Sequence, residues 1–123
     1  MSQTLSGAYG SARDMALLAG ALVNKAPEIA AATAKSKATA RSEGGTSYQV
    51  ANTDPLVDSI PNLLLSKTGF TDLAGGNLAL VIDVGIKHPI AIIVLGSSKE
   101  ARFTDGSALV ASTFAHFAGM AAL

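Results

Sequence analysis

Residues 63–71 read Leu-Leu-Leu-Ser-Lys-Thr-Gly-Phe-Thr, an apolar run of strand length that ends in a cation, a hydroxyl and a glycine. Lysine is almost never fully buried unless it is paired, and glycine weakens a strand unless something approaches its backbone closely. This strand end therefore predicts an edge that holds an anionic ligand, with charge from Lys67, a hydroxyl from Thr68 and room at Gly69. The alternative is an exposed strand end that runs into a turn.

The composition excludes several classes of protein. The chain has 123 residues, which suits one domain or part of one, and 49% of them are hydrophobic. A formal net charge of zero and 5% aromatic residues give no indication of nucleic-acid binding. There is no cysteine and no metal-ligand spacing, so we expect no disulfide, metal or other cofactor. No apolar run approaches the ~18 residues of a membrane span, and residues 1–7 do not resemble a signal peptide.

The start of the chain predicts a loop followed by two helices. Residues 1–10 are polar and contain glycine, which is typical of a loop. Ser11 and Asp14 then predict a capping box at the start of a helix. The apolar stripe that follows is broad, so we expect this helix to be covered on more than one side. Pro27 ends or kinks it and suits the first turn of a short second helix at residues 28–32.

The middle of the chain predicts β structure. Residues 35–50 alternate small and polar side chains around Ser-Glu-Gly-Gly, which favours a polar hairpin, with a disordered loop as the alternative. Residues 77–84 are apolar on both faces of a strand, so helices are expected on both sides of the sheet. Residues 90–95 are apolar throughout. Short connections between these strands and residues 63–71 favour a three-stranded antiparallel meander.

A last helix is expected to close the chain. Ser97 and Glu100 predict a second capping box, and Gly106 costs the helix about 1 kcal/mol relative to alanine. The apolar face of this helix consists of Phe103, Val110, Phe114 and Phe117. Residues 118–123 are expected to form a small apolar tail. The predicted fold class is α+β, an antiparallel sheet of about three core strands plus a polar hairpin, flanked by an N-terminal and a C-terminal helix.

Three stretches match one family in order and spacing. Residues 9–18 read Tyr-Gly-Ser-Ala-Arg-Asp-Met-Ala-Leu-Leu, and residues 66–76 contain Ser-Lys-Thr-Gly-Phe-Thr and Ala-Gly-Gly. Residues 94–97 read Val-Leu-Gly-Ser, with Arg102 downstream. Together they resemble the serine-type D-Ala-D-Ala carboxypeptidases, the low-molecular-mass penicillin-binding proteins of peptidase family S11, which carry Tyr-Ser-Thr-Ala-Arg-Asp-Met-Ala and Lys-Thr-Gly. The resemblance covers nearly the whole chain.

The resemblance implies part of a β-lactamase/transpeptidase-like fold and an enzyme that removes the terminal D-Ala from peptidoglycan stem peptides through an acyl-serine. Lys67 would bind the terminal carboxylate of the substrate and help to set the local proton balance, and Thr68 would hydrogen-bond that carboxylate. Gly69 would let the strand edge lie beside the peptide, and the backbone N–H of Phe70 would be one oxyanion-hole donor. β-Lactams would acylate the enzyme, which would work in the periplasm or at the cell surface.

The two polar side chains of the motif are expected to reach one ligand only at a strand edge. Strict alternation sends Lys67 and Thr68 to opposite faces of a strand. The resemblance implies a site along the edge of this strand, with the strand twisted at Lys67 and Thr68.

The chain also departs from the family. It contains neither the nucleophile motif Ser-x-x-Lys nor the second motif, Ser-x-Asn. In the family both precede the counterpart of Ser11, so the resemblance implies that residues 11–117 are the C-terminal part of the peptidase domain, inactive alone. Asn52-Thr53-Asp54 stands where many members have Asn-x-Asn, often with arginine in the middle, and Thr53 cannot supply that cation.

Other catalytic arrangements within the chain are disfavoured. Ser66 directly precedes the lysine, and adjacent strand residues diverge. His88 lies in a predicted turn and His116 on the last helix, so neither is expected to activate a serine. Asp72 and Asp83 are expected at a turn and a strand end rather than as a carboxylate pair.

Two alternatives to the enzyme stay open, namely a non-catalytic module that binds D-Ala-D-Ala ends of peptidoglycan and a self-associating sheet protein. The faces of residues 63–65 and 90–95 are expected to be partly uncovered in this chain alone. Large exposed apolar patches mark interfaces or aggregation. We therefore expect self-association, poor solubility or a partner that supplies the N-terminal half.

Overall fold

The computed structural model describes residues 7–121, in which helices and strands follow one another in an α+β order. The elements are α1 (Ala12–Lys25), α2 (Pro27–Thr33), β1 (Lys37–Arg41), β2 (Ser47–Ala51), β3 (Leu63–Thr71), β4 (Gly75–Asp83), β5 (Pro89–Ser97) and α3 (Ala101–Ala121). A short 3₁₀ helix at Val57–Ser59 precedes β3. The expectations for residues 1–6 and 122–123 lie outside the described residues.

The predicted sheet topology is confirmed. β3, β4 and β5 form an antiparallel sheet in that order, and β1 and β2 form a separate antiparallel hairpin. Every residue of the two hairpin strands is exposed, so the hairpin lies in solvent rather than forming the disordered loop that was the alternative.

Helices cover both faces of the three-stranded sheet, as the apolar residues of β4 predict. One core cluster, to which α3 contributes, has the buried members Ile60, Leu78, Leu80, Ile82, Ile92, Val94 and Val110. The cluster on the other face, to which α1 and α2 contribute, has the buried members Ala19, Ala30, Leu65 and Val81. Consecutive residues of β4 thus enter different clusters, because side chains alternate across a strand.

Glycine at position 106 serves the packing of α3 on the sheet. A Cβ at Gly106 would lie 2.7 Å from Cδ2 of Leu78 and 3.6 Å from Cδ1 of Leu80. The absence of a side chain therefore lets the helix approach β4 closely, which offsets the intrinsic cost of glycine in a helix.

The two ends of α3 differ from the sequence predictions. The helix begins with the N–H of Ala101 donating to the Ser98 hydroxyl at 3.0 Å. The Ser97 hydroxyl instead donates to Asp105 at 2.8 Å, so the predicted capping box of Ser97 and Glu100 is wrong. The helix also continues to Ala121, so residues 118–121 belong to α3 and not to a separate tail. At the other end of the chain, the capping box predicted for α1 is present.

Part of the apolar surface that stays exposed lies on α1. Leu17 is 65% exposed and Leu18 is 62% exposed, so the prediction that this helix is covered on more than one side is wrong for the described residues. The strand faces that were expected to be partly uncovered are mixed, since Leu65, Ile92 and Val94 are buried whereas Leu95 is 43% exposed.

Among residues 7–121, no single helix is both long enough and apolar enough to cross a membrane, and α1 with α2 reaches that length and composition only as a pair bent by 115°.

The turn between β4 and β5 predicts a pH-dependent contribution to stability. The Asp83 carboxylate accepts hydrogen bonds from the backbone N–H groups of His88 (2.9 Å), Gly85 (3.1 Å) and Lys87 (3.2 Å). The bond from His88 contributes most to holding the pKa of Asp83 below the ordinary value of an aspartate. A lowered carboxyl pKa stabilises the fold above the unfolded-state pKa, and this contribution is lost as the pH falls through the lower folded-state value. Asp83→Asn should therefore be less stable than the wild type at neutral pH, with the difference shrinking in acid.

Thermal unfolding of both proteins between pH 6 and pH 2 measures this difference. The matched control is Asp72→Asn, which changes an exposed carboxylate in the neighbouring turn between β3 and β4. A difference between wild type and Asp83→Asn that stays constant across the range would contradict the assignment.

Candidate functional site

β3 is an edge strand, because in the three-stranded sheet it pairs with β4 alone. The backbone N–H of Ser66 donates to the Thr33 hydroxyl of α2 at 3.0 Å. The carbonyl of Thr68 accepts the Lys67 ammonium at 2.5 Å. Alternate residues of an antiparallel ladder direct their N–H and C=O groups to the same side, and the register of this part of β3 is continuous. The N–H of Phe70 therefore points to the same open edge.

Of the two polar side chains that the sequence singled out, that of Lys67 reaches this edge. Leu65, two residues before Lys67, lies in the cluster against α1 and α2, so alternation puts Lys67 on that face and Thr68 on the face of α3. The Lys67 side chain nevertheless turns back over the edge, where its Nζ lies 2.5 Å from the Thr68 carbonyl oxygen. The ammonium of Lys67, the backbone of Thr68 and the N–H of Phe70 thus lie along one edge of β3.

Gly69 leaves open space in the middle of this edge. Among the described residues, a Cβ built there would meet only the Cβ of Asn77, at 3.9 Å, which is an ordinary contact. Its φ is not in the left-handed region, where the chain places Gly45, Gly75 and Gly96. Neither packing within residues 7–121 nor backbone conformation therefore requires a glycine at this position.

A loop before β3 adds a second hydroxyl that the sequence did not indicate. The hydroxyl oxygens of Thr53 and Thr68 lie 2.5 Å apart. The Asn52 side chain anchors this loop by donating to the carbonyls of Thr33 (2.6 Å) and Lys35 (2.8 Å). In the sequence, Thr53 stands where many family members have an arginine, and it lacks that charge. No local pattern predicts that it lies beside Thr68, which is 15 positions away.

Ser66 is held as a structural residue. It is 4% exposed, and its hydroxyl donates at 2.8 Å to the carboxylate of Asp54, which is 1% exposed. The other carboxylate oxygen of Asp54 accepts the backbone N–H of Leu56 at 2.9 Å. This arrangement ties the Thr53 loop to β3 and engages the Ser66 hydroxyl away from the lysine, in agreement with the expectation that Ser66 is not a nucleophile.

Replacing Ser66 with alanine should lower the free energy of unfolding by about 1–3 kcal/mol, the typical cost of leaving a buried charged acceptor without one of its donors. Chemical denaturation measures the loss. Ser59→Ala is the control, because Ser59 donates a similar bond, to the Leu56 carbonyl at 2.8 Å, from an exposed position. Equal losses in the two variants would contradict a special role for the buried pair.

Arg102 is a further residue of the site for which the sequence offered no role. It is 7% exposed, and it donates from Nη1 to the Gly69 carbonyl at 3.0 Å and from Nε to the Lys99 carbonyl at 2.8 Å. Its guanidinium carbon lies 4.5 Å from the ring centroid of Phe103 and 6.0 Å from that of Phe70. The start of α3 is thereby attached to the end of β3.

The histidines take no part in this site. His88 and His116 each make an edge contact with the ring of Phe117, at centroid distances of 5.4 Å and 5.3 Å. Ser66 is bonded to Asp54, so no Ser–His pair forms with it. Within residues 7–121, no group of three histidine or acidic side chains is arranged to hold a metal ion.

The comparisons with known proteins agree with this architecture. The family model for D-alanyl-D-alanine carboxypeptidase matches residues 3–99. No curated protein matches the sequence.

Among solved structures, the Streptomyces K15 DD-transpeptidase, in a mutant form, is 24% identical with a TM-score of 0.72, over 90% of this chain and 45% of that one. Penicillin-binding protein D2 from Listeria monocytogenes, with bound ampicillin, is 24% identical with a TM-score of 0.69, over 88% of this chain and 43% of that one. The chain therefore spans less than half the length of these structures and shares their fold. Because the family model covers most of the sequence, the chain belongs to the D-alanyl-D-alanine carboxypeptidase family, peptidase family S11.

Proposed function

We propose that this chain supplies the carboxylate-binding edge and one oxyanion donor of a serine-type D-Ala-D-Ala carboxypeptidase that acts on peptidoglycan stem peptides. The observation that carries the proposal is the edge of β3, where the Lys67 ammonium, the Thr68 backbone and the Phe70 N–H lie in a row. Membership of the family and the extracytoplasmic location usual for it support a site of action in the periplasm or at the cell surface.

The Lys67 ammonium binds the terminal carboxylate of the stem peptide. In the free chain its partner is a neutral carbonyl, that of Thr68. A carboxylate is a better partner, since hydrogen bonds between ionised groups are roughly twice as strong as neutral ones. Binding therefore exchanges the weaker bond for the stronger one and uncovers the Thr68 carbonyl. The Thr68 hydroxyl donates to the same carboxylate.

The rest of the substrate lies as an added strand along the edge. Peptides commonly bind to an exposed sheet edge through main-chain hydrogen bonds. The N–H of Ser66 is already bonded to Thr33, so the edge is available from Thr68 onwards. The packing of the described residues does not explain the glycine at position 69, whereas a bound peptide would, because the missing side chain leaves room for the peptide backbone.

The reaction is acyl transfer in two steps. A serine hydroxyl adds to the carbonyl carbon of the penultimate D-Ala, and the Phe70 N–H stabilises the oxyanion that forms. Collapse breaks the C–N bond and releases D-Ala, whose amine takes the proton that the serine hydroxyl has lost. Water then hydrolyses the acyl-serine to the free carboxylic acid and restores the serine hydroxyl. The sequence has no Ser-x-x-Lys, so the nucleophile comes from protein outside these 123 residues, and this chain alone is inactive.

Benzylpenicillin tests the proposal by intact mass. The 123-residue chain alone should show no covalent adduct, and the native product captured from its source cell through this segment should show one penicilloyl group. A native product of roughly twice this length would agree with the proposal. A stoichiometric adduct on this chain alone would instead mean that one of its own residues is the nucleophile.

A non-catalytic module that binds D-Ala-D-Ala ends is the second candidate. It is favoured by the assembly of the whole β3 edge in a chain without either serine motif. A native product of this length that binds an acyl-D-Ala-D-Ala peptide without cleaving it would support this function and exclude the carboxypeptidase.

A further inference from the structure

We propose that Arg102 is a positioning residue that orients and strengthens the oxyanion donor on Phe70. The inference rests on the proposed function, which assigns the Phe70 N–H as that donor. It concerns one peptide group, the one between Gly69 and Phe70, which carries the Gly69 carbonyl at one end and the Phe70 N–H at the other.

The geometry links Arg102 to the donor through this single peptide plane. Nη1 of Arg102 lies 3.0 Å from the Gly69 carbonyl oxygen. In a trans peptide, the C=O and the N–H of one plane point in opposite directions. A guanidinium that holds the Gly69 carbonyl on the inner side of β3 therefore directs the Phe70 N–H towards the open edge, where the substrate would lie.

The charge of Arg102 also acts on the strength of this donor. Its hydrogen-bond partners among the described residues are two backbone carbonyls, those of Gly69 and Lys99, and it is 7% exposed. No carboxylate is among those partners, so the cation acts on the Gly69 carbonyl without a bonded counter-ion. A charge-assisted bond to the carbonyl polarises the peptide and makes its N–H a better donor, and the low local dielectric increases the effect.

A purely structural role for Arg102 predicts different results. The bond from Nε to the Lys99 carbonyl lies within the start of α3 and would stabilise that turn whatever happens at β3. The bond to the Gly69 carbonyl also affects β3, because this carbonyl belongs to the peptide group that carries the oxyanion donor. Only this second bond predicts a change at the Phe70 N–H itself.

The first test uses NMR of the 123-residue chain, with Arg102→Gln and Arg102→Lys as variants. Loss of the charge should shift the Gly69 carbonyl ¹³C and the Phe70 amide proton upfield in Arg102→Gln, and Arg102→Lys should restore part of both shifts. Lys99→Gln is the matched control, since it removes a cation 5.6 Å from the Phe70 ring that does not bond to the Gly69 carbonyl. Unchanged Gly69 and Phe70 shifts in a folded Arg102→Gln variant would overturn the inference.

The second test uses the native product acylated by penicillin. The infrared stretch of the acyl carbonyl reports how strongly the oxyanion hole polarises it, so Arg102→Gln should raise this frequency and slow acylation by roughly 10- to 100-fold, less than the 10²–10³ lost with a complete donor. An unchanged frequency in an acylated Arg102→Gln variant overturns the inference alone. A wild-type native product that forms no acyl-enzyme overturns the proposed function instead, and the NMR test still decides what Arg102 does to the peptide.

Discussion

Acylation of the native product by penicillin should slow by about 30- to 1000-fold when Lys67 is replaced with Gln. The reason is the loss of the Lys67 ammonium from the open edge of β3, where it bonds to the Thr68 carbonyl. Removing one partner of a charged pair that becomes buried on binding costs about 2–4 kcal/mol, and glutamine leaves the substrate carboxylate with a neutral donor. The second-order rate constant, kcat/KM or its equivalent for a β-lactam, measures the loss.

Lys87→Gln is the control for charge alone. Lys87 is an exposed lysine in the turn between β4 and β5, so its replacement changes the net charge equally without touching the β3 edge. Acylation should keep its wild-type rate in this variant. If Lys67→Gln and Lys87→Gln slowed acylation by the same factor, general electrostatic attraction would explain the effect and the edge site would not.

Gly76→Ala should destabilise the fold by about 3 kcal/mol or more, at the upper end of what overpacking costs. A Cβ at this position would lie 2.1 Å from the Ser98 carbonyl oxygen, 2.6 Å from its carbonyl carbon and 3.2 Å from the Lys99 nitrogen. These are backbone atoms of the segment that joins β5 to α3, so no side-chain rotation can relieve the clash. Chemical denaturation measures the change in the free energy of unfolding.

Gly20→Ala is the matched control, because a Cβ there, in the middle of α1, would meet no atom of the described part of the chain within 4 Å. That substitution should stabilise the fold by about 0.5–1 kcal/mol through the higher helix propensity of alanine. Gly76 also pairs with Phe70 across the β3–β4 ladder, so a folded Gly76→Ala variant should show shifted Phe70 resonances. A loss of stability below about 1 kcal/mol would contradict the close approach of the two backbones.

The sequence alone determined the elements whose signals are local. The spacing of Ser11 and Asp14 predicted a capping box, because its two bonds join residues three positions apart. The alternation in β4 predicted a sheet covered on both faces, because each side chain of a strand points opposite to its neighbour. The composition of the Lys67 to Gly69 stretch predicted an exposed strand edge, which β3 forms, and the resemblance that included this stretch led to the correct family.

Only the tertiary structure decided the contacts between distant parts of the chain. Gly106 is unfavourable when α3 is considered by itself, and it is needed only because Leu78 of β4 lies against it. Arg102 reaches the carbonyl of a residue 33 positions earlier, and Thr53 reaches the hydroxyl of Thr68 across 15 positions. Local propensity carries no information on such pairs, because their partners are set by how the helix and the loop pack on the sheet.

The exposed side of α1 also shows that a sequence pattern does not predict tertiary contacts. The broad apolar stripe that includes Leu17 and Leu18 predicted a helix covered on more than one side, and in the described residues the two leucines face solvent. Apolar periodicity reports which residues gain by burial. It does not report whether the chain itself supplies the surface that buries them, and that depends on the positions of the other helices and of the sheet.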